Sequence, residues 1–284
     1  MKRNTKTCAS ALVAIFSASA LLLTGCSAGP TPDATAPETA KVQAPAALTQ
    51  LGKITYCATL DNPPRASVDA SSKQIGFEVD LGQDIATLMG LTVTWLQLPF
   101  DGLISTLQAG QCDAIVQELF IKPERLEVID MVPFSNSGQQ LVVRKGSDLK
   151  GTTLKDYSGV KFAVPNGTTI HTLAEAANEE LKAEGKPLID LVILQTTTDT
   201  FQQLSSGVVE ALGTTTTAAA YYSSQSAGTF ELRGAPFGLI KTGIGIKKGN
   251  DELTNAIQEA IDLLKKDGTY DSLIAKWNMQ GSEL

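Results

Sequence analysis

The sequence has 284 residues, 43% hydrophobic and 19% charged, a balance typical of a folded chain of one large or two ordinary domains. Its net charge of −7 argues against nucleic-acid binding, which needs a basic surface. There is one histidine, and none of the four cysteines forms a C-x-x-C pair. This composition argues against a zinc centre, a thioredoxin-type site and Ser-His or Cys-His catalysis, so no metal or cofactor is expected.

The first 25 residues have the pattern of an export signal. Three basic residues and no acid precede an apolar stretch, 9–23, that is too short for a membrane-spanning helix. The stretch ends in Leu23-Thr24-Gly25-Cys26, which resembles a bacterial lipobox. Cys26 is therefore the expected lipidation site, and a plain secretory signal with an incidental cysteine is the alternative.

Residues 26–50 predict a flexible tether, because their Pro, Ala and Thr content cannot build a core. Removal of the signal leaves 20 basic against 30 acidic residues, a charge of −10. We therefore expect an extracytoplasmic protein that is attached to the cell membrane by lipid. Cys57 and Cys112 would then lie in an oxidising compartment, where an even pair favours a disulfide. Two free, buried cysteines on neighbouring strands are the alternative.

The first part of the folded region predicts a β-α-β-α-β unit. Strands are expected at 51–60, 91–98 and 113–119, and the third is apolar enough for a buried parallel strand. A helix that follows Phe77 ends at Gly90, and a shorter helix, capped by Asp101, ends at Gly110. This alternation predicts a parallel α/β sheet.

The pattern then restarts as a second α/β unit. It consists of strands at 160–164, 188–194 and 210–213, a helix from the Gly167 turn to Lys182, and a short helix at 200–206. The threonine runs 196–198 and 214–217 are expected to be strand-end loops, with Thr214 and Thr215 facing a ligand. An amphipathic helix at 251–267 and a last helix around 270–277 follow.

Two extended segments, 140–144 and 240–247, connect the two units. Two crossings predict two lobes: residues 51–137 with 242–284, and residues 138–241. Parallel sheets bind ligands at the carboxyl ends of their strands, so the cleft between the lobes is the expected pocket, and the two hinge strands would let it close.

Several motifs occur in the order typical of one protein family. They are Asn62-Pro63-Pro64, Gly76-Phe77-Glu78-Val79-Asp80-Leu81, Phe100-Asp101-Gly102-Leu103-Ile104, the run 107–115, Pro123-Glu124-Arg125, and the runs 243–250 and 267–277. Over roughly 51–280 the chain resembles bacterial extracellular solute-binding proteins of family 3, the polar amino-acid receptors of ABC importers. The resemblance implies a two-lobed, type II periplasmic-binding-protein-like α/β fold. It also implies a monomer that captures a solute in the cleft and delivers it to a permease and its ATPase.

The resemblance also implies roles for residues around the cleft. Arg125 matches the arginine that grips the ligand carboxylate through its bidentate fork, and Phe100 matches an aromatic that packs against the ligand. A surface ion pair and ordinary core packing are the respective alternatives. The loop Gly167-Thr168-Thr169 is expected to bind the carboxylate through backbone N–H groups at a helix start, or else to be a capped turn.

Departures from the family pattern bear on the choice of ligand. Phe120 and Lys122 stand where relatives place threonines, and Thr215 stands where relatives place the aspartate that binds the ligand ammonium. Glu118 is a candidate substitute for that aspartate. Otherwise the ligand is an N-substituted amino acid, an opine or an organic acid. The alternative role for Glu118 is an ion pair with Lys122 or Arg125.

Arg65 follows the Pro-Pro turn, where many relatives have an aromatic residue. It is expected to cover the ligand, to pair with an acid, or to be a solvated loop residue. Together Arg65, Lys122 and Arg125 form a cationic group near the cleft that would suit an anionic ligand. His171, one turn into a helix, is expected to be structural.

These observations predict a receptor for an amino acid, an amino-acid derivative or an organic acid, rather than an enzyme. The alternative is a cleft enzyme on the same fold that resembles the cyclohexadienyl dehydratases, with Glu118 and Lys122 as its acid and base.

Overall fold

The computed structural model describes residues 40–284. The predicted signal, the lipidation site Cys26 and residues 26–39 of the predicted tether lie outside the described residues. The rest of the predicted tether is not flexible: Val42 is buried in a hydrophobic core cluster, and its N–H donates to the Leu88 carbonyl at 3.0 Å. Within the described part, the strands form one eight-stranded sheet and one three-stranded sheet. None of the helices described is long and apolar enough to cross a membrane.

The elements up to the first long strand are, in chain order, β1 (Lys53–Ala58), β2 (Asp61–Asn62), β3 (Ala66–Val68), β4 (Gln74–Ile75), α1 (Phe77–Leu88), β5 (Thr92–Gln97), α2 (Leu103–Gln108), β6 (Ala114–Ile115), α3 (Pro123–Leu126) and β7 (Ile129–Arg144). The remaining elements are β8 (Lys161–Pro165), α4 (Thr169–Ala183), β9 (Asp190–Leu194), α5 (Thr197–Ser206), β10 (Ala211–Thr215), α6 (Thr216–Gln225), β11 (Phe230–Lys247), α7 (Asp251–Lys266) and α8 (Thr269–Lys276). Short 3-10 turns occupy Phe100–Gly102 and Leu154–Tyr157.

The large sheet has the strand order β5-β1-β6-β11-β7-β10-β8-β9. Strands β5, β1 and β6 run parallel to one another, as do β10, β8 and β9. Between these sets the long strands β7 and β11 pair antiparallel along their length, from Ile129 opposite Lys247 to Arg144 opposite Phe230. We call the half with β5, β1 and β6 the first lobe and the half with β10, β8 and β9 the second lobe. The long strands connect the two.

Each half of the sheet is covered on both faces, as parallel strands require. On β7, Leu141 and Val143 belong to one core cluster and Val142 to another, which is the two-residue alternation of a strand buried on both sides. In the first lobe, the apolar stripe of α7 and the apolar residues of α1 pack in one cluster. Helix α2 packs in a second cluster, against different residues of the sheet.

The structure places Cys57 at the end of β1 and Cys112 just before β6, the neighbouring strand. Their Cα atoms lie 5.8 Å apart and their sulfur atoms are bonded. The bridge lies in the core cluster beneath α2. It connects two strands whose carboxyl ends both open toward the cleft.

Several predicted elements differ in detail. Asp101 does not cap α2, because the N-cap is Gly102 and the Asp101 carboxylate accepts a hydrogen bond from Asn166 instead. The strand expected at 113–119 is only Ala114–Ile115, because the chain leaves the sheet there and its polar side chains face the cleft. Neither threonine run is a loop. Thr215 ends β10 and Thr216 begins α6, and Thr196 caps α5, which begins at Thr197.

Candidate functional site

A cavity lies between the two lobes at the carboxyl ends of the parallel strands. From the first lobe and β7 it is lined by Thr59, Asp61, Asn62, Phe100, Gln117, Glu118, Phe120 and Gln139, and from the second lobe by Pro165, Thr168, Thr169, Ile170, Gln195, Thr197, Thr214 and Thr215. Gln139 lies on β7, and the other residues end or follow β1, β5, β6, β8, β9 and β10. This is where open α/β sheets hold their ligands.

Direct hydrogen bonds between the lobes close the cleft. The Asn166 amide donates to Asp101 Oδ2 at 2.7 Å. The Thr197 N–H donates to Asp61 Oδ2 at 3.0 Å, and Thr217 Oγ1 donates to Glu118 Oε1 at 2.8 Å. The structure is therefore the closed form of a hinged molecule.

Arg65 is fully buried beside the cavity and binds acids on two sides. Its Nε lies 2.8 Å from Glu118 Oε1, and its NH1 lies 3.1 Å from Glu78 Oε1. It also donates to Ser135 Oγ at 2.9 Å and to the Asn136 carbonyl at 3.1 Å. Of the roles expected for Arg65, the geometry matches pairing with an acid. The solvated-loop expectation is wrong, because no part of the side chain reaches water.

Glu118 lines the cavity, but its two oxygens already have partners. Oε1 accepts from Arg65 and Thr217, and Oε2 accepts from the Asn62 amide at 2.7 Å. It pairs with neither Lys122 nor Arg125, so that alternative is wrong. Lys122 instead pairs with Glu124 at 3.2 Å, outside the cavity lining.

The buried Glu78 carboxyl completes the Arg65 network. Burial raises its pKa to about 7, the Arg65 charge opposes that rise, and the Glu118 charge adds to it. Its second oxygen has no hydrogen-bond partner among the described residues. A carboxyl with this pKa is partly protonated near neutral pH.

Arg125 lies in α3 with 8% of its surface exposed. Its NH1 donates to the Phe120 carbonyl at 2.9 Å, and its guanidinium carbon lies 5.6 Å from the centre of the Phe100 ring. Burial lowers its pKa to about 10, so it stays charged at neutral pH. No carboxylate in residues 40–284 comes within ion-pair distance of it. The surface ion pair is therefore wrong for Arg125, and Phe100 and Phe120, which contact it, line the cavity.

The second lobe presents the start of α4 to the cavity. Thr168 caps the helix by accepting from His171 N at 3.4 Å, and Thr168 and Thr169 both line the cavity. The buried Thr169 hydroxyl has no hydrogen-bond partner in the part of the chain that is described. The Gly167 N–H donates to His171 Nδ1 at 3.2 Å. The Gly167 N–H therefore already has a partner, and His171 makes a structural contact.

Gly167 also contacts the opposite lobe. Its φ of +69° is a left-handed conformation that favours glycine, and a Cβ built there would lie 3.0 Å from Asp101 Cβ. A side chain at this position would therefore press on the first lobe as the cleft closes.

The geometry and the sequence together match one family of proteins. The family model of bacterial extracellular solute-binding proteins, family 3, matches residues 54–280. The chain belongs to this family. It is 31% identical over 225 residues to the lysine/arginine/ornithine-binding periplasmic protein of Escherichia coli (strain K12), covering 75% of this chain and 83% of that one.

Two further similarities agree with this family. The L-cystine-binding protein TcyJ of the same organism is 27% identical over 216 residues, 76% of this chain and 78% of that one. A solved structure of an ancestral arginine-binding protein bound to arginine superposes with a TM-score of 0.73 at 32% identity, covering 80% of this chain and 98% of that one. The fold is thus the two-lobed α/β fold of periplasmic binding proteins, as expected.

Within this family member, the charge at the cleft differs from what the sequence suggested. The three cations Arg65, Lys122 and Arg125 do not line the cavity, whereas Asp61 and Glu118 do. Asp61 was missed: burial raises its pKa, and none of the described cations pairs with it. An acid in the turn that follows β1 was a usable signal. Gln139 was also missed, because nothing in the pattern of a crossing strand marks one glutamine as facing a ligand. No group of described residues has the composition of a metal site.

Proposed function

We propose that this protein is the extracytoplasmic receptor of an amino-acid ABC importer, which captures an amino acid or amino-acid-like solute in the cleft and delivers it to the permease and its ATPase. The single observation that carries the proposal is a closed, polar-lined cleft at the carboxyl ends of two parallel strand sets. The relatives support an amino acid as the solute, because they are named as binding proteins for cystine and for lysine, arginine and ornithine.

Arg125 is proposed as the partner of the ligand carboxylate. A buried guanidinium without a counter-charge destabilises the fold. A carboxylate that arrives with the ligand would supply the missing negative charge. Because Phe100 and Phe120 contact it and line the cavity, one of these aromatic side chains would shift to admit the carboxylate. The ligand carboxylate would also contact Thr168, Thr169 and the edge of the Phe100 ring. Thr215 would face the rest of the ligand.

Export and anchoring complete the proposal. Cleavage before Cys26 and lipidation of its thiol would attach the protein to the cell membrane as a monomer, because two or more acyl chains give stable anchorage. The lobes are proposed to comprise residues 51–137 with 242–284 and residues 138–241. This division places both boundaries where β7 and β11 pair, with Ser137 opposite Ile240.

The enzyme alternative has less support. The acid–base pair that it needs is not formed, because Lys122 binds Glu124 and Glu118 binds Arg65. Without a second group within proton-transfer distance, Glu118 is better explained as a charge that holds the closed cleft.

The test compares Gly167→Ala with Gly185→Ala. Both glycines have nearly the same φ, +69° and +68°, but a Cβ at Gly185 meets nothing within 4 Å. The backbone strain is therefore matched, at about 1 kcal/mol or somewhat more, and only Gly167→Ala obstructs closure. A thermal-shift screen of the common amino acids and their N-acetyl derivatives identifies a ligand, and calorimetry measures its affinity.

We expect Gly167→Ala to weaken ligand binding by about tenfold, or 1.4 kcal/mol, while Gly185→Ala binds like the wild type. Equal affinities for the two variants would contradict capture by closure. Absence of any ligand from the screen would contradict the receptor function itself.

A further inference from the structure

The cavity wall formed by β7 contains a glutamine with no structural partner. Gln139 on β7 lies directly opposite Thr215 on β10 in the antiparallel register, so the two side chains stand on the same face of the sheet. Both line the cavity, and only 1% of Gln139 is exposed. Neither its Nε2 nor its Oε1 has a hydrogen-bond partner among the described residues.

The neighbouring glutamine shows what a structural role looks like on the same strand. Gln140 is 2% exposed, and its Nε2 donates to the Arg233 carbonyl at 2.8 Å and to the Leu141 carbonyl at 3.3 Å. A buried carboxamide with no partner destabilises a fold, because it gives up its hydrogen bonds to water and gains none. The bonds that Gln139 lacks must therefore come from what enters the cavity.

We propose that Gln139 recognises an amide group of the captured solute. This assignment rests on the receptor function proposed above and deepens it. A carboxamide presents an acceptor and donors side by side in one plane. A ligand ammonium only donates, so it would bond Oε1 and leave Nε2 without an acceptor. A ligand carboxylate only accepts, so it would bond Nε2 and leave Oε1 without a donor. An amide donates and accepts, so it satisfies both atoms of Gln139, whichever way the side chain is turned.

The hydroxyl opposite Gln139 agrees with a neutral ligand group at this part of the wall. Thr215 donates or accepts through that hydroxyl, and Glu118, which also lines the cavity, is paired with Arg65. The acid of the lining that has no cation partner among the described residues, Asp61, lies on β2. The position that binds the ammonium in the family pattern thus presents uncharged groups here. The amide would come either from a side-chain carboxamide or from an acylated amino group, and both present the same hydrogen-bonding edge.

The experiment uses two matched ligand pairs in calorimetry with the mature protein. L-glutamine against L-glutamate tests the side-chain source, and N-acetyl-L-alanine against L-alanine tests the acylated amino group. We expect the wild type to prefer the amide member of at least one pair by about tenfold or more. Gln139→Met, which keeps the volume and removes the amide, should reduce that preference to about threefold or less. Gln139→Glu should reverse it in the alanine pair, because a carboxylate favours the free ammonium.

Ligand-free thermal unfolding separates this role from a structural one. Gln139→Met should unfold at the wild-type temperature or above, since it removes unpaired polar atoms. Gln140→Met should unfold at a lower temperature, since it removes existing bonds. Wild-type binding without an amide preference, an unchanged preference in Gln139→Met, or a loss of stability in Gln139→Met equal to that of Gln140→Met would each overturn the assignment. Each of these would leave solute capture intact, whereas failure of every amino acid and every N-acetyl amino acid to bind would refute capture.

Discussion

The Arg65 network makes a strong prediction about stability, because it holds one cation between two buried carboxyls. Arg65→Met keeps most of the side-chain volume and leaves Glu78 and Glu118 facing each other without a positive charge. Removal of one partner from a buried ion pair typically costs about 3–5 kcal/mol. We therefore expect Arg65→Met to lose about that much free energy of unfolding at pH 8.

The loss should depend on pH in a defined direction. In the wild type, burial raises the Glu78 pKa from 4.5 to about 7. A raised carboxyl pKa stabilises the fold below the unfolded pKa and loses that contribution as pH rises through the folded pKa. Between pH 4.5 and 7 this shift alone corresponds to at most about 3 kcal/mol. Without the Arg65 charge the pKa of Glu78 rises further, so the variant's deficit should be smaller at pH 5 than at pH 8.

Urea unfolding followed by tryptophan fluorescence measures both effects, at pH 5 and pH 8. The control is the double variant Arg65→Met with Glu78→Gln, which removes one of the two unpaired carboxyls. It should recover part of the stability lost at pH 8 and show a weaker pH dependence. A deficit below 1 kcal/mol would contradict the stabilising role of the Arg65 ion pairs. A deficit of equal size at both pH values would contradict the raised pKa of Glu78.

Three further predictions concern the ligand partner, the disulfide and the anchor. Arg125→Ala should weaken binding of a carboxylate ligand by about 2–5 kcal/mol if the guanidinium is its desolvated partner, and an unchanged calorimetric affinity would remove it from the site. Replacing both Cys57 and Cys112 with alanine opens a loop closed across 55 positions, and should cost up to about 4 kcal/mol of unfolding free energy. Non-reducing mass spectrometry should find two hydrogens fewer than in the reduced protein, whereas equal masses would mean free thiols. Cys26→Ser should release the exported protein from the membrane fraction, and retention would contradict a lipid anchor.

The fold was largely predictable because its signals are periodic. The apolar stripe of the helix at 251–267 depends only on local spacing, and the extended segment expected at 140–144 is part of β7. The Asp101 cap was wrong because a tertiary contact with Asn166, 65 residues away, competes for the same carboxylate. The shortened third strand has a similar cause, since its polar residues are held in the cleft.

The site was less predictable, because which side chains face a closed cleft depends on how the lobes meet. The resemblance to the family predicted ligand contacts that the structure has on the cavity lining, namely Phe100, Glu118, Thr168, Thr169 and Thr215. It could not indicate that Arg65 lies behind Glu118 rather than in front of it. Burial of that arginine depends on several elements at once: the turn between β2 and β3, the start of α1, the loop after β6, and β7.

The central claim is that one solute binds, unchanged, in the cleft between the lobes. A calorimetric titration with the ligand found by thermal shift tests it most directly, with Thr215→Trp filling the cavity and mass spectrometry of the ligand recovered afterwards. We expect one ligand per chain, at least a hundredfold weaker binding to the variant, a loss of about 2.7 kcal/mol or more, and a ligand of unchanged mass. Undiminished binding to Thr215→Trp, or conversion of the ligand to a product, would contradict it.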